Sequence, residues 1–184
     1  MNRIVLAIAV CLVAAQAASA TNVQPERKDF QLLKDVATSV DRYVHFTIFD
    51  DVNANVKDGI VTLTGRVTMP YKKDDIEKRV GKIDGVRSVQ DNIAVLPVSQ
   101  FDDELRARIA RAIYSNANFW NYAIMPNPPI HIVVERGRVR LTGVVNSEVD
   151  RMLAKSIASQ SGAFSVTSEL KTDAEMREAL EKSE

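Results

Sequence analysis

The chain has 184 residues, and its 24 basic residues are balanced by 24 acidic ones, so its formal net charge at pH 7 is zero. A chain this balanced lacks the pronounced basic face that wrapping nucleic acid requires, and nucleic acid is therefore not an expected partner. The single cysteine, Cys11, lies near the N-terminus. The rest of the chain is thus without the thiols that a disulfide, a thiolate metal site or a cysteine nucleophile needs.

The first twenty residues have the pattern of a secretory signal peptide. A short basic start precedes an apolar run over residues 4–15, and Ala18-Ser19-Ala20 fits a small-residue cleavage site. We predict cleavage near Ala20, which removes 20 of the 184 residues and leaves a periplasmic or secreted chain. Because the removed segment (1–20) carries Arg3 and no acidic residue, the net charge then becomes −1.

An uncleaved anchor is the alternative, although the apolar run is short for a helix that spans a bilayer. Acylation of Cys11, as in bacterial lipoproteins, is not expected, because the apolar run continues beyond it and Val10 is too bulky for the residue before the cut. The mature chain is therefore expected to be neither anchored nor lipidated.

Each half of the remaining chain is predicted to begin with an amphipathic helix. We assign the apolar stripes, 72 positions apart, to Leu33, Ala37 and Val40 in the first half and to Leu105, Ile109 and Ala112 in the second.

A nonapeptide pattern, Gly-x-Val-x-Leu-Thr-Gly-x-Val, then occurs twice, at residues 59–67 and 137–145. The stretches before it, 52–56 and 130–134, alternate apolar and variable residues as half-buried strands do. The glycine at the start of each copy supplies the positive φ that a tight turn requires. The pattern therefore predicts a β-hairpin in each half, with matched residues 78 positions apart.

A second helix and a third strand complete each half. The helix is indicated by apolar residues at i, i+4 spacing, which are Ile76 and Val80 in the first half and Leu153 and Ile157 in the second. A glycine turn precedes the third strand, in which Val89 and Ile93 match Val166 and Leu170. A strand–helix–strand unit of this length implies a parallel, right-handed crossover.

The element order predicts an α+β fold of two tandem αββαβ domains, each a three-stranded mixed sheet covered by two helices. We place the first domain at residues 28–97 and the second at 101–172. Residues 173–184 form a tail that is either a short helix or frayed. Because domains of about seventy residues build only marginal cores, we expect the two copies to contact each other.

Each Gly-x-Val-x-Leu-Thr-Gly strand is followed by a helix, and in the first half Gly-Val-Arg-Ser-Val follows at 85–89. This arrangement resembles the BON domain (bacterial OsmY and nodulation). The resemblance covers residues 28–172, although Gly-Ala stands at 162–163 where the family has Gly-Val. The matched glycines are then structural residues of turns and strands: Gly59, Gly65, Gly85, Gly137, Gly143 and Gly162.

The resemblance implies an exported, envelope-associated bacterial protein that takes part in osmotic or envelope stress tolerance. It implies binding of phospholipid or of membrane-associated partners, and it carries no shared catalytic residues. We therefore expect a non-enzymatic protein without a cofactor that binds phospholipid or the membrane surface. The alternative is a periplasmic chaperone-like or scaffolding protein that binds other envelope proteins.

Candidate binding residues lie where the two halves differ. The offset rises from 72 to 78 after the first helix, so the second half carries about six extra residues, in a segment rich in aromatic and apolar side chains. Such segments suit membrane interfaces and adaptable contacts, although burial in a small core is the alternative. Arginines on the following hairpin could bind a lipid phosphate or form a solvated sheet face. The candidate surface comprises Phe119, Trp120, Tyr122, Ile124, Met125, Arg136, Arg138 and Arg140.

The sequence shows no pattern of metal or catalytic chemistry. His45 and His131 lack the close His or Cys partners of a transition-metal site, and His131 is expected to point away from the core. The acidic pairs at 50–51 and 74–75 are read as helix caps, with weak cation binding as the alternative. Ser-His-Asp order, a phosphate-binding glycine loop and EF-hand spacing are all absent from the sequence.

Overall fold

The computed structural model describes residues 25–181, with side chains from 28 onward except at position 180. The predicted signal peptide (1–20) lies outside the described residues. No helix in residues 25–181 is both long enough and apolar enough to cross a bilayer.

The first domain consists of α1 (Pro25–Asp41), β1 (Asp51–Lys57), β2 (Ile60–Val67), α2 (Pro70–Val80) and β3 (Ser88–Val95). Its sheet has the order β1-β2-β3, with β1 antiparallel and β3 parallel to β2. The inward positions of β2, which are Val61, Leu63 and Val67, are fully buried against the two helices. The predicted αββαβ order is confirmed.

The second domain repeats this order with additions. Its elements are α3 (Gln100–Tyr114), a 3-10 turn (Ala117–Phe119), α4 (Trp120–Ala123), β4 (Ile130–Glu135), β5 (Arg138–Val145), α5 (Glu148–Ser159), β6 (Ser165–Ser168), β7 (Lys171–Thr172) and α6 (Asp173–Glu181). The third strand is split into β6 and β7, and both pieces pair in parallel with β5. The C-terminal tail forms α6, whose start is held by Glu175 and Thr172 through reciprocal hydrogen bonds.

Both hairpins turn through two residues with positive φ. The angles are 52° and 76° at Asp58 and Gly59, and 53° and 73° at Arg136 and Gly137. Positive φ at both central residues defines the type I′ turn, which matches the twist of antiparallel strands. All six glycines named above have positive φ, as structural glycines do.

The helix stripes differ by one residue from the predicted ones. In α1, Leu32, Val36 and Val40 are buried, whereas Leu33 is half-buried and Ala37 is exposed. These residues match Leu105, Ile109 and Ile113 of α3 at an offset of 73. The insertion is therefore five residues rather than six. The error arose because adjacent leucines give two helical registers of similar apolar character.

In α5 the residues that face the core are Ala154 and Ala158, not the predicted Leu153 and Ile157, which are only half-buried. The alanines match Ile76 and Val80 of α2 at an offset of 78, so α5 contributes only methyl groups at these positions. The same core cluster contains large side chains from the inserted segment, Phe119 and Tyr122.

The two domains are in contact, as the small size of each core led us to expect. The loop before β1 lies along the free edge of β4, where the Ile132 amide donates to the Ile48 carbonyl at 2.6 Å. Next to it, His131 Nδ1 lies 2.7 Å from the Asp50 carbonyl oxygen, which makes Nδ1 a donor, and its ring lies 5.3 Å from that of Phe46. This loop satisfies part of an edge that would otherwise be open to pairing with another strand.

Candidate functional site

The predicted aromatic segment divides between core and surface. Phe119 and Tyr122 are 0% and 2% exposed, so the assignment of these two to a binding surface is wrong. Both belong to the same buried core cluster as Ala154 and Ala158 of α5. Trp120, Ile124 and Met125 are exposed, as predicted.

Tyr122 is fixed by hydrogen bonds at its buried end. Its hydroxyl donates to Asp150 at 3.0 Å and accepts from the Asn146 amide at 2.7 Å. Burial raises the pKa of Tyr122, and although the Asn146 bond lowers it, the Asp150 carboxylate adds to the rise. The hydroxyl therefore remains protonated and joins α4 to the start of α5.

The exposed part of the aromatic segment and the arginines do not form one surface. Tyr122 contacts Asn146, which follows β5, whereas Arg138 begins β5. The eight-residue separation corresponds to about 26 Å along an extended strand. The combined surface predicted from the sequence is thus wrong: its two halves lie at opposite ends of the second domain.

The arginine end carries an aromatic pair that the sequence analysis missed. Phe101 and Phe164 stack with ring centroids 5.9 Å apart, and they are 46% and 77% exposed. The Phe164 amide donates to the Gly137 carbonyl at 2.8 Å, and a Cβ on Gly137 would lie 2.5 Å from the Phe164 ring. The rings therefore cover the β4–β5 turn, and we call Phe101, Phe164, Arg136 and Arg138 the aromatic tip.

A buried carboxylate fixes the turn of the aromatic tip. Asp102, 1% exposed, accepts hydrogen bonds from the Arg136 and Gly137 amides at 2.8 and 2.7 Å. In the first domain, the half-buried Asp29 accepts from the turn amides at 58 and 59, at 2.6 and 3.0 Å. The two aspartates are 73 positions apart, which is the offset of the buried helix stripes. An alignment of the two halves at this offset would have matched Asp29 with Asp102 from the sequence alone.

The arginines near the tip differ in whether they have acidic partners. Arg140 lies 3.0 Å from Asp51 and 3.6 Å from Glu169, and Arg66 of the first domain lies 3.0 Å from Glu135. Arg136 and Arg138 have no carboxylate partner within the described part of the chain, and both are exposed. These two guanidinium groups are therefore available to an external anion.

The corresponding end of the first domain has different chemistry. Lys28 stands at the position of Phe101 and Asp58 at that of Arg136. Arg87 stands at the position of Phe164 and makes the same backbone bond, from its amide to the Gly59 carbonyl at 2.8 Å. Exposed aromatic rings are thus absent from these positions of the first domain. These differences between the two halves are present in the sequence, but the residues are matched with one another only in an alignment with the correct offsets.

Both carboxylates of the first acidic pair contact basic side chains, Asp50 with Lys72 and Asp51 with Arg140. Asp50 is fully buried, and Lys72 Nζ lies 2.6 Å from its carboxylate, which also accepts from the amides and hydroxyls of Thr47 and Thr68. Burial raises the pKa of Asp50, but the hydrogen bonds from Lys72, Thr68 and Thr47 outweigh it and hold the pKa below the ordinary value.

Asp75 of the second acidic pair and His45 also make structural contacts. Asp75 lies inside α2 and accepts from the Tyr43 hydroxyl at 2.6 Å. The His45 ring makes edge contacts with the rings of Tyr43 and Tyr71. Among the residues described, no group of three His, Cys, Asp or Glu side chains is arranged to hold a metal ion.

The BON domain family model matches residues 28–97 and 101–174. Over 89 residues the chain is 35% identical to the potassium binding protein Kbp of Escherichia coli, an alignment that covers 44% of this chain and 59% of that protein. The chain thus spans less than two thirds of the length of this relative.

Two solved structures of CdsD, a structural protein of the type III secretion system of Chlamydia trachomatis, are also similar. One is 13% identical, with 82% of this chain and 97% of that chain covered at a TM-score of 0.28. The other, the C-terminal domain of CdsD, is 14% identical, with 75% and 97% covered at a TM-score of 0.25. TM-scores this low support no argument.

The family model accounts for most of the chain and for both copies of the fold. BON domains are associated with membrane and phospholipid interaction, and the family is generally non-catalytic. The chain belongs to the BON domain family, as a tandem pair.

Proposed function

We propose that this protein is an exported, non-enzymatic envelope protein that binds anionic phospholipid surfaces through the aromatic tip of its second domain. The observation that carries the proposal is the exposed pair Phe101 and Phe164 beside the unpaired Arg136 and Arg138. Apolar rings next to cationic groups suit the boundary between lipid headgroups and acyl chains. In the cell, such binding would support envelope integrity or osmotic stress tolerance.

The expected affinity is modest. Complete burial of a Phe side chain contributes roughly 1.5–3 kcal/mol, and the two rings here are 46% and 77% exposed, so together they offer about 2–4 kcal/mol. Each arginine near an anionic surface adds about 1 kcal/mol. The sum, about 4–6 kcal/mol, corresponds to reversible binding with a Kd of roughly 0.05–1 mM. Binding should therefore weaken as salt screens the arginine contribution.

Liposome flotation of the mature chain tests the proposal. We expect binding to vesicles of phosphatidylcholine with phosphatidylglycerol and little binding to phosphatidylcholine alone. Replacing both Phe101 and Phe164 with Ser should lower binding at least tenfold, because the exposed parts of both rings are removed. The chain should remain folded at the assay temperature, because the turn keeps its hydrogen bonds to Asp102. Trp120→Ser is the matched control, because it removes an exposed aromatic ring at the opposite end of the domain.

Equal binding by the Phe101/Phe164 double variant and the parent would refute the proposal. Loss of binding in Trp120→Ser alone would move the site to the other end of the domain. Absence of flotation together with suppressed aggregation of client proteins would favour the chaperone-like alternative. Because one relative is named for potassium binding, sodium should also be exchanged for potassium at constant ionic strength; the proposal expects no difference.

A further inference from the structure

We infer that the groove of the second domain that begins at the aromatic tip and is bordered by Arg66 of the first domain seats the phosphate of one phosphodiester headgroup. In this site Arg138 binds the phosphate, and Arg66 of the first domain keeps Arg138 free to do so. The inference rests on the proposed function, because it assigns a ligand class and a positioning residue to the same region. The two can nevertheless be tested separately, because the aromatic tip could adsorb to a membrane without a phosphate site in the groove.

The groove combines residues of both domains. Its lining includes Arg66 of β2, Glu135 of β4, Arg136 of the turn, Arg138 and Arg140 of β5, and Phe164. The lining has four arginines and two glutamates, Glu135 and Glu169, and Asp51 contacts Arg140 from outside it, which leaves a surplus of one positive charge. Because Phe164 belongs to both the groove and the aromatic tip, a lipid whose chains contact the ring would bring its headgroup to the groove.

Whether Arg138 has an ion-pair partner depends on Glu135, its neighbour on the adjacent strand. Arg138 and Glu135 are direct partners in the antiparallel β4–β5 pair. Side chains in that relation are about 5 Å apart at Cβ, and opposite charges there normally attract. Instead, Glu135 Oε2 lies 3.0 Å from Arg66 Nε, and Arg138 has no carboxylate partner among the described residues. The first domain thus occupies the acid that would otherwise neutralise Arg138.

The Arg138 guanidinium has a suitable geometry for binding a phosphate group. Arginine presents a planar fork of N–H donors that binds phosphate oxygens in pairs, which lysine does not. Arg140 lies on the same strand face, about 7 Å along β5, but it is held by Asp51 and Glu169. Arg138 is therefore the arginine on the face of β5 that a headgroup can use without breaking an ion pair.

A double-mutant experiment tests the role of Arg66. In Arg66→Ala, Glu135 is released to pair with Arg138, and binding to phosphatidylglycerol vesicles should fall about tenfold. Adding Glu135→Gln in that background should restore binding. Adding Glu169→Gln restores the same net charge, but Glu169 contacts Arg140 rather than Arg138, so binding should remain low. Circular dichroism and Tm show whether each variant is folded and the domains remain stable.

A second set of variants tests the fork geometry. Arg138→Lys keeps the charge and should weaken vesicle binding several-fold, whereas Arg111→Lys, at an exposed arginine of α3 outside the tip and the groove, should leave it unchanged. Glycerophosphoglycerol and inorganic phosphate are then titrated separately against the labelled protein. NMR shifts are followed at Arg138 and at Thr167 of β6, which also lines the groove. Shifts with glycerophosphoglycerol are expected for a phosphodiester site; shifts with inorganic phosphate alone would overturn the headgroup assignment.

The outcomes separate the two proposals. If the parent protein binds vesicles, but Glu169→Gln rescues as well as Glu135→Gln or Arg138→Lys binds like the parent, the groove inference is wrong and tip adsorption stands. If vesicles are not bound but glycerophosphoglycerol shifts Arg138, the groove inference stands and the membrane function fails. If neither vesicles nor glycerophosphoglycerol bind, both are wrong.

Discussion

Replacing Asp102 with Ala should destabilise the second domain far more than the equivalent change, Asp29→Ala, destabilises the first. Asp102 is 1% exposed and accepts from the Arg136 and Gly137 amides at 2.8 and 2.7 Å, so water cannot readily replace it. The Gly137 amide is buried, and leaving it without its carboxylate acceptor costs about 1.5–3 kcal/mol. The Arg136 amide is only partly buried and adds up to about 1 kcal/mol, which gives about 2–4 kcal/mol in all. Asp29 is only half-buried; water can reach its turn, and we expect about 1 kcal/mol.

Urea unfolding provides the measurement. The single tryptophan, Trp120, lies in the second domain, so its fluorescence reports that domain while circular dichroism reports both. Asp102→Asn keeps one acceptor oxygen and should fall between the parent and Asp102→Ala. Hydrogen exchange at the amides of Arg136 and Gly137 should accelerate only in the Asp102 variants. Equal losses for Asp29→Ala and Asp102→Ala, or a loss below about 1 kcal/mol for the latter, would refute the reasoning.

Two further predictions concern the cores. Phe119→Ala should lower the free energy of unfolding by about 3–5 kcal/mol, because it empties a fully buried site. Trp120 is 65% exposed in the parent, so Trp120→Ser should change the free energy of unfolding by no more than about 0.5 kcal/mol. Urea unfolding of both variants distinguishes the core residue from the surface residue, and similar losses would contradict the assignment. Lys72→Met should cost about 3–5 kcal/mol at pH 7, because the Asp50 carboxylate is then buried without its ion-pair partner. The Asp50 pKa is lowered in the folded state, so its contribution is present above about pH 4, the unfolded pKa, and is lost as the pH falls through the folded value. Urea unfolding of the full chain, followed by circular dichroism at several pH values, should show this loss in the parent and not in an Asp50→Asn/Lys72→Met double variant.

The elements that sequence patterns predicted correctly are those with local causes. The Gly-x-Val-x-Leu-Thr-Gly pattern combines a positive-φ glycine with alternating apolar side chains, and both hairpins formed with their turns at 58–59 and 136–137. The residues on the buried face of each helix were harder to predict. A shift of one residue between Leu32 and Leu33 changes the helical face by only about 100°, and the choice depends on which side chain meets the sheet.

The candidate site depended on contacts that no local pattern contains. Phe101 and Phe164 are far apart in the chain, and their stacking is visible only after α3 and β6 meet at the Gly137 turn. The exposed Trp120 and the buried Phe119 are sequence neighbours. Phe119 lies in the core cluster that includes Ala154 and Ala158 of α5, whereas Trp120 does not.

By itself, the sequence determined that the chain contains two copies of one αββαβ fold, because turns and strand alternation are set by residues a few positions apart. Only the tertiary structure decided which arginines can bind an anion. Arg138 and Arg140 are equivalent in a strand pattern, yet Asp51 and Glu169 neutralise Arg140 while Arg66 draws Glu135 away from Arg138. The availability of a charge depends on its neighbours in space, and here those neighbours come from both domains.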